Sequence, residues 1–72
     1  MNDGYTYRCA WSDEDGEYVG SVDEFPSLSW LAPTQEDALG GIRRVTAEVV
    51  GDLRANGETV PLPSELRRVA YA

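Results

Sequence analysis

An α+β fold, with a three-stranded antiparallel sheet packed on one long helix, is predicted for this chain of 72 residues. Three observations predict it. Apolar and polar residues alternate from Tyr5 to Ser12, a second extended run after an acidic turn falls into register with the first, and residues 34–56 carry apolar side chains at steps of three and four. The order is strand, strand, strand, helix, with a late strand or a tail at 67–72. The whole of 1–72 makes one domain, its core at about 5–57 and a Pro-containing tail at 58–72.

In the first strand Tyr5, Tyr7, Cys9 and Trp11 share one face, and Thr6, Arg8, Ala10 and Ser12 the other. Asp13-Glu14-Asp15-Gly16 is a turn, with Gly16 free to take positive φ. If those four residues are the loop, Ser12 faces Glu17, Trp11 faces Tyr18, Cys9 faces Gly20 and Tyr7 faces Val22. That register gathers Tyr7, Cys9, Trp11, Tyr18 and Val22 on one face. It leaves Arg8 near Ser21 and diagonal to Asp23 on the other. The second strand runs from Glu17 to Asp23. Glu24-Phe25-Pro26-Ser27 breaks it, and Leu28 to Leu31 is a short third strand. Pro33 drives the residue before it out of helical space.

The helix opens at Thr34, whose hydroxyl is placed to cap a free N–H of the first turn. Glu36 and Asp37 then suit the positive end of the helix dipole. Asp37 stands where a capping box would carry Glu or Gln. Ala38, Leu39, Ile42, Val45, Thr46, Val49, Val50 and Leu53 fall on one arc of roughly 140°, a core-facing stripe. Asn56-Gly57 stops the helix, and the prolines of Val60-Pro61-Leu62-Pro63 exclude both helix and central strand.

A chain of this length buries only about 60% of its unfolded surface, so a staple is expected. One Cys and no His leave neither a disulfide within the chain nor a zinc site, so a homodimer or higher homo-oligomer is the expected staple. No apolar run approaches the roughly 20 residues of a membrane span, and the start is no signal peptide, so a cytoplasmic protein is expected. The net charge of −7 is uneven. Residues 1–24 carry seven acids against Arg8 alone, a net of −6, and residues 25–72 carry six acids and five arginines, a net of −1. Such a surface repels phosphate, which argues against nucleic-acid binding by this chain alone. It attracts a basic protein partner, though the same acidity also serves solubility.

No catalytic set appears. Asp13, Glu14, Asp15 and Glu17 stand on one turn and so do not converge on a cation from separate elements. Cys9 has no His to activate it and reads as a packed thiol on the helix-facing side. No enzyme and no cofactor are expected. Phe25 and Trp30, beside Asp23 and Glu24, fit an interface anchor with an acidic rim. Equally, Trp30 fits the closure of the core under the helix. With Asp15 and Glu17 these four make the candidate partner-binding set. Gly40, Ala47 and Gly51 lie opposite the apolar stripe, where small residues permit close approach of another chain. They are the candidate oligomer interface.

The chain also resembles the HicB antitoxin family. The carrying residues are Tyr5-Thr6-Tyr7, Asp15-Gly16-Glu17-Tyr18-Val19, Glu24-Phe25-Pro26-Ser27-Leu28-Ser29-Trp30, Thr34-Gln35-Glu36-Asp37-Ala38-Leu39 and Gly57-Glu58-Thr59-Val60-Pro61-Leu62-Pro63, a series spanning roughly 5–64. The resemblance implies a partial ribonuclease-H-like fold and a place in a type II toxin–antitoxin system. There the chain would bind a small basic HicA-like mRNA interferase and mask its site. Many such relatives continue into a ribbon-helix-helix or helix-turn-helix segment. This sequence stops at Ala72, where that segment would begin, so no DNA-binding domain is expected in it. Two other functions compete with the antitoxin: a non-catalytic dimerisation module without a toxin partner, and a metal-dependent nuclease built on Asp13 and Asp15.

Overall fold

The computed structural model describes residues 4–63. Strands β1 (Tyr7–Ser12), β2 (Glu17–Val22) and β3 (Ser29–Ala32) precede the helix α1 (Gln35–Ala55). The strands form one antiparallel sheet in the order β1-β2-β3, and α1 lies across one face of it. The α+β class is therefore as the sequence predicts. So is the register, in which Tyr7 pairs with Val22, Cys9 with Gly20, Trp11 with Tyr18 and Ser12 with Glu17. β3 continues the ladder, with Trp30 opposite Gly20 and Ala32 opposite Tyr18.

Thr34 adopts an extended backbone and its Oγ1 accepts from the N–H of Asp37 at 3.1 Å. Glu36 and Asp37 occupy the first turn and Arg54 the last, both in the sense the helix dipole favours. The far end closes as a Schellman motif. Gly57 takes φ +71°, its N–H donates to the Arg54 carbonyl at 3.2 Å, and the Glu58 N–H donates to the Leu53 carbonyl at 2.8 Å. These bonds use carbonyls that the last turn would otherwise leave unpaired.

Ala38, Ile42, Thr46 and Val50 are the buried members of the predicted stripe. Ile42 and Val22 are almost wholly removed from water, which stabilises the fold by about 1.5–3 kcal/mol for each. Val22, Phe25, Ile42 and Val50 form the central cluster, with Tyr7, Trp30, Val49 and Leu53 among the side chains packed on it. The Thr46 hydroxyl donates back to the Ile42 carbonyl at 2.7 Å, so a polar group sits in the core without an unmet bond.

Two glycines set how closely α1 approaches the sheet. A Cβ at Gly20 would strike the Ala38 carbonyl, and one at Gly41 would strike the Trp30 ring. Gly41 is buried beside the stripe, a position that the apolar periodicity did not count.

The observed elements depart from prediction at their ends. β1 begins at Tyr7 rather than Tyr5, and β2 stops at Val22 rather than Asp23. The reason is a turn in which the Phe25 N–H bonds the Val22 carbonyl at 3.1 Å. The Leu28 N–H donates to the Phe25 carbonyl at 3.0 Å, so Leu28 belongs to that bend and β3 starts at Ser29. Of the predicted tail, residues 58–63 follow α1 as neither helix nor strand, and Tyr5 Oη donates to the Pro61 carbonyl at 2.7 Å. The late strand at 67–72 lies outside the described residues. Among the described residues, no helix is long and apolar enough to cross a membrane.

Candidate functional site

The β1–β2 turn and the start of α1 lie at the same end of the molecule, because β3 runs toward that turn and Pro33-Thr34 leads straight into the helix. A shallow pocket there is lined by Tyr18, Pro33, Thr34, Gln35 and Glu36. This end therefore gathers Asp13, Glu14, Asp15, Glu17, Glu36 and Asp37, while the sequence carries no arginine between Arg8 and Arg43.

The turn is built by its own polar groups. Gly16 takes φ +64°, and its N–H donates to the Ser12 carbonyl at 2.8 Å. The Ser12 hydroxyl donates to Asp15 Oδ2 at 3.0 Å and accepts from the Asp15 N–H at 3.3 Å. Trp11 stands edge-on to Tyr18, with ring centroids 5.0 Å apart, and its indole N–H donates to Asp13 Oδ1 at 2.7 Å. The Trp11 side chain is 52% exposed even so. The result is an exposed aromatic surface beside an acidic turn whose Asp13, Glu14 and Asp15 are themselves exposed. Among the described residues no three metal-ligating side chains gather. Cys9 is free and half-buried on the helix-facing side of β1, beside Gly20.

The second acidic group behaves differently. Asp23 meets Arg8 in a two-point contact on the open face of the sheet, Nε to Oδ1 at 2.7 Å and Nη2 to Oδ2 at 2.8 Å. These hydrogen bonds hold the Asp23 carboxyl below the ordinary carboxylate range and raise the Arg8 guanidinium. Glu24 turns inward, only 6% exposed, and accepts from the Thr6 N–H at 2.9 Å and the Thr6 hydroxyl at 3.2 Å. Phe25 is buried against Tyr5, ring centroids 5.5 Å apart. Glu24 and Phe25 are thus core and clasp rather than an exposed anchor, which corrects the expected partner-binding set. The bend at 23–28 folds under the sheet's end and takes both side chains with it. Trp30 is half-buried under α1 at Gly41, with the Arg44 guanidinium over its ring at 5.2 Å. Of the six residues, Asp15, Glu17 and Asp23 keep water contact, and Asp15 and Glu17 share the acidic end.

Gly40, Ala47 and Gly51 are exposed on the outer side of α1, and a Cβ at Gly40 or Gly51 would meet nothing within 4 Å. At 3.6 residues per turn they fall within about 40° of one another around α1, so they share one outer stripe whose two ends border different hollows. Gly40 lines a groove between α1 and β3. Ala47 and Gly51 line a cleft of about 470 Å³ closed by Tyr5, Val60 and Pro61. Linear reading missed the joining of Glu36 and Asp37 to the turn acids, which needs the strand order. It also missed Trp11, an aromatic that alternation assigns to the covered face but that is 52% exposed.

Comparison with protein-family models, with curated proteins and with solved structures finds no match to this chain.

Proposed function

We propose that this chain is a non-catalytic binding protein that docks its acidic end on a small basic protein, in the manner of an antitoxin masking a HicA-like mRNA interferase. One observation supports the reading above all. The exposed Trp11 stands beside an acidic turn, its indole N–H on Asp13, at the end of the molecule where α1 starts with Glu36 and Asp37. Aromatic residues with charged rims are over-represented among the few that dominate binding energy. A single-sign patch also accelerates encounter with an oppositely charged partner by about 10-fold to 1,000-fold. The mechanism is occlusion, with no bond made or broken. The sequence resemblance to HicB antitoxins supplies the identity of the partner, and with it the expectation of a partial ribonuclease-H-like fold.

The test is co-expression with a small basic reading frame sought beside this gene, followed by pull-down and binding kinetics. The expected outcome is a complex whose association slows as salt is raised. It should slow by at least about tenfold when Asp13→Asn, Asp15→Asn and Glu17→Gln are combined. Trp11→Ala should speed dissociation instead. A basic neighbour that fails to co-purify, or a complex indifferent to all four changes, would overturn the proposal.

A further inference from the structure

The groove between α1 and β3 has a volume of about 480 Å³ and is lined by Trp30, Leu31, Asp37, Gly40, Gly41 and Arg44 among others. Three features coincide there. β3 ends the sheet, so among the described residues no strand pairs with its outer edge, and Leu31 beside it is 43% exposed. Asp37 and Arg44 stand two turns apart on α1, about 10 Å along the axis, and neither makes an ion pair among the described residues. Gly40 and Gly41 occupy the midpoint between them, and Gly41 sits against Trp30 in the middle of β3. The centre of the strand and the centre of the charge pair are therefore level.

The geometry points to a second copy of this chain as the occupant of this groove, paired edge to edge through β3 about a two-fold axis. An isologous contact must be self-complementary. A two-fold axis through the middle of β3 runs the two edges antiparallel. It sets Arg44 of each copy against Asp37 of the other, with the open Gly40 of each helix between them, where a Cβ would meet nothing within 4 Å. A different protein adding a strand would need no such symmetry of opposite charges about the strand's centre. The pairing gives the open edge its hydrogen bonds and supplies the staple a chain this small needs. It uses the side of α1 over β3, whereas basic-partner docking is tested at Asp13, Asp15, Glu17 and Trp11; Asp37 belongs to both, and Arg44→Glu tests the dimer without touching the acidic end.

The test is sedentation-grade mass measurement of the full chain, by analytical ultracentrifugation over a concentration series, with helicity and thermal unfolding followed alongside. The wild type dimerises. Arg44→Glu and Asp37→Arg each put like charges at both symmetry-related contacts, and each raises the dimer dissociation constant by at least about tenfold. Mixing the two variants restores a dimer, now a heterodimer, because each Glu at 44 would oppose a carboxylate in its own homodimer but meets an arginine in the mixture. Restoration by mixing cannot come from misfolded chains. A monomeric wild type, single variants that dimerise as the wild type does, or variants that stay apart on mixing would each overturn the assignment.

Discussion

The acids at 13–17 and those at 23–24 look alike along the chain and stand in opposite environments. The first group lies on a hairpin turn at the end of the molecule where α1 starts, and Asp13, Glu14 and Asp15 are all exposed. The second lies on a bend that passes beneath Tyr5 and Thr6, so that Glu24 is buried and bonded to Thr6 while Asp23 beside it points out to Arg8. A carboxylate on a turn costs little and gives the surface its charge. A carboxylate under the core costs several kcal/mol of desolvation unless bonds replace its water. Position in the fold, and not local charge density, separates an exposed acidic surface from a structural clasp.

The sharpest way to break this contrast is Glu24→Ala. It leaves the Thr6 N–H without its acceptor and opens space beside Phe25, and about 2–3 kcal/mol of stability should be lost. In a domain this small that lowers the midpoint of thermal unfolding by roughly 10 °C or more. Glu24→Gln keeps an acceptor and should lose less. Asp13→Ala, in the exposed group, should stay within about 0.5 kcal/mol of the wild type. Denaturant unfolding measures all three, and equal losses at Glu24 and Asp13 would end the distinction.

A second contrast lies within α1. Gly41→Ala forces a methyl into the Trp30 ring and should cost about 1–3 kcal/mol, as overpacking does. Gly51→Ala meets nothing within 4 Å on an exposed face and should stabilise by about 0.5–1 kcal/mol through helix propensity. The same substitution with opposite sign, ten residues apart on one helix, is readable in a single set of melting curves.

These contrasts also mark what was legible in the sequence. The hairpin register, the cap at Thr34, the stop at Gly57 and the stripe through Ile42 and Val50 each follow from spacing and local stereochemistry, and the fold carries all of them. Lost from view was whatever depends on where α1 lies across the sheet. Alternation put Trp11 and Tyr7 on the same covered face. Yet Trp11 is 52% exposed, while Tyr7 is half-buried with the Arg43 guanidinium 5.2 Å over its ring. Charge counting grouped Glu24 with Asp15 because neither carries a local signal of burial. Glycine content marked Gly40 and Gly51 as candidates for contact, but gave no sign that Gly41 is the one whose missing Cβ the core requires. The acidic end itself was half legible, since Glu36 and Asp37 read as dipole partners and only the strand order brings them to the turn.

The smallest expected effect concerns Asp23, the outward neighbour of Glu24. Arg8 lowers its carboxyl pKa in the folded chain through hydrogen bonds, against the opposing influences of lost solvent and the nearby Glu24. A folded-state value below the unfolded one means that the contribution to stability is present above the unfolded carboxylate pKa. It is lost as pH falls through the folded value. The two side chains are 67% and 38% exposed, so water and salt screen the pair and the acid-side loss should be slight. Arg8→Ala should return Asp23 to the ordinary carboxylate range in a carbon-detected NMR titration and flatten that part of the stability curve. Glu24, bonded to Thr6 rather than to Arg8, should leave the Thr6 amide protected from exchange in the same variant. If Asp23 titrates unchanged without Arg8, the pair has no energetic meaning and the outward acid belongs with Asp13 as plain surface charge. If instead the Thr6 amide loses protection, the two neighbouring acids act as one unit, and the division between clasp and surface must be drawn before Asp23 rather than after it.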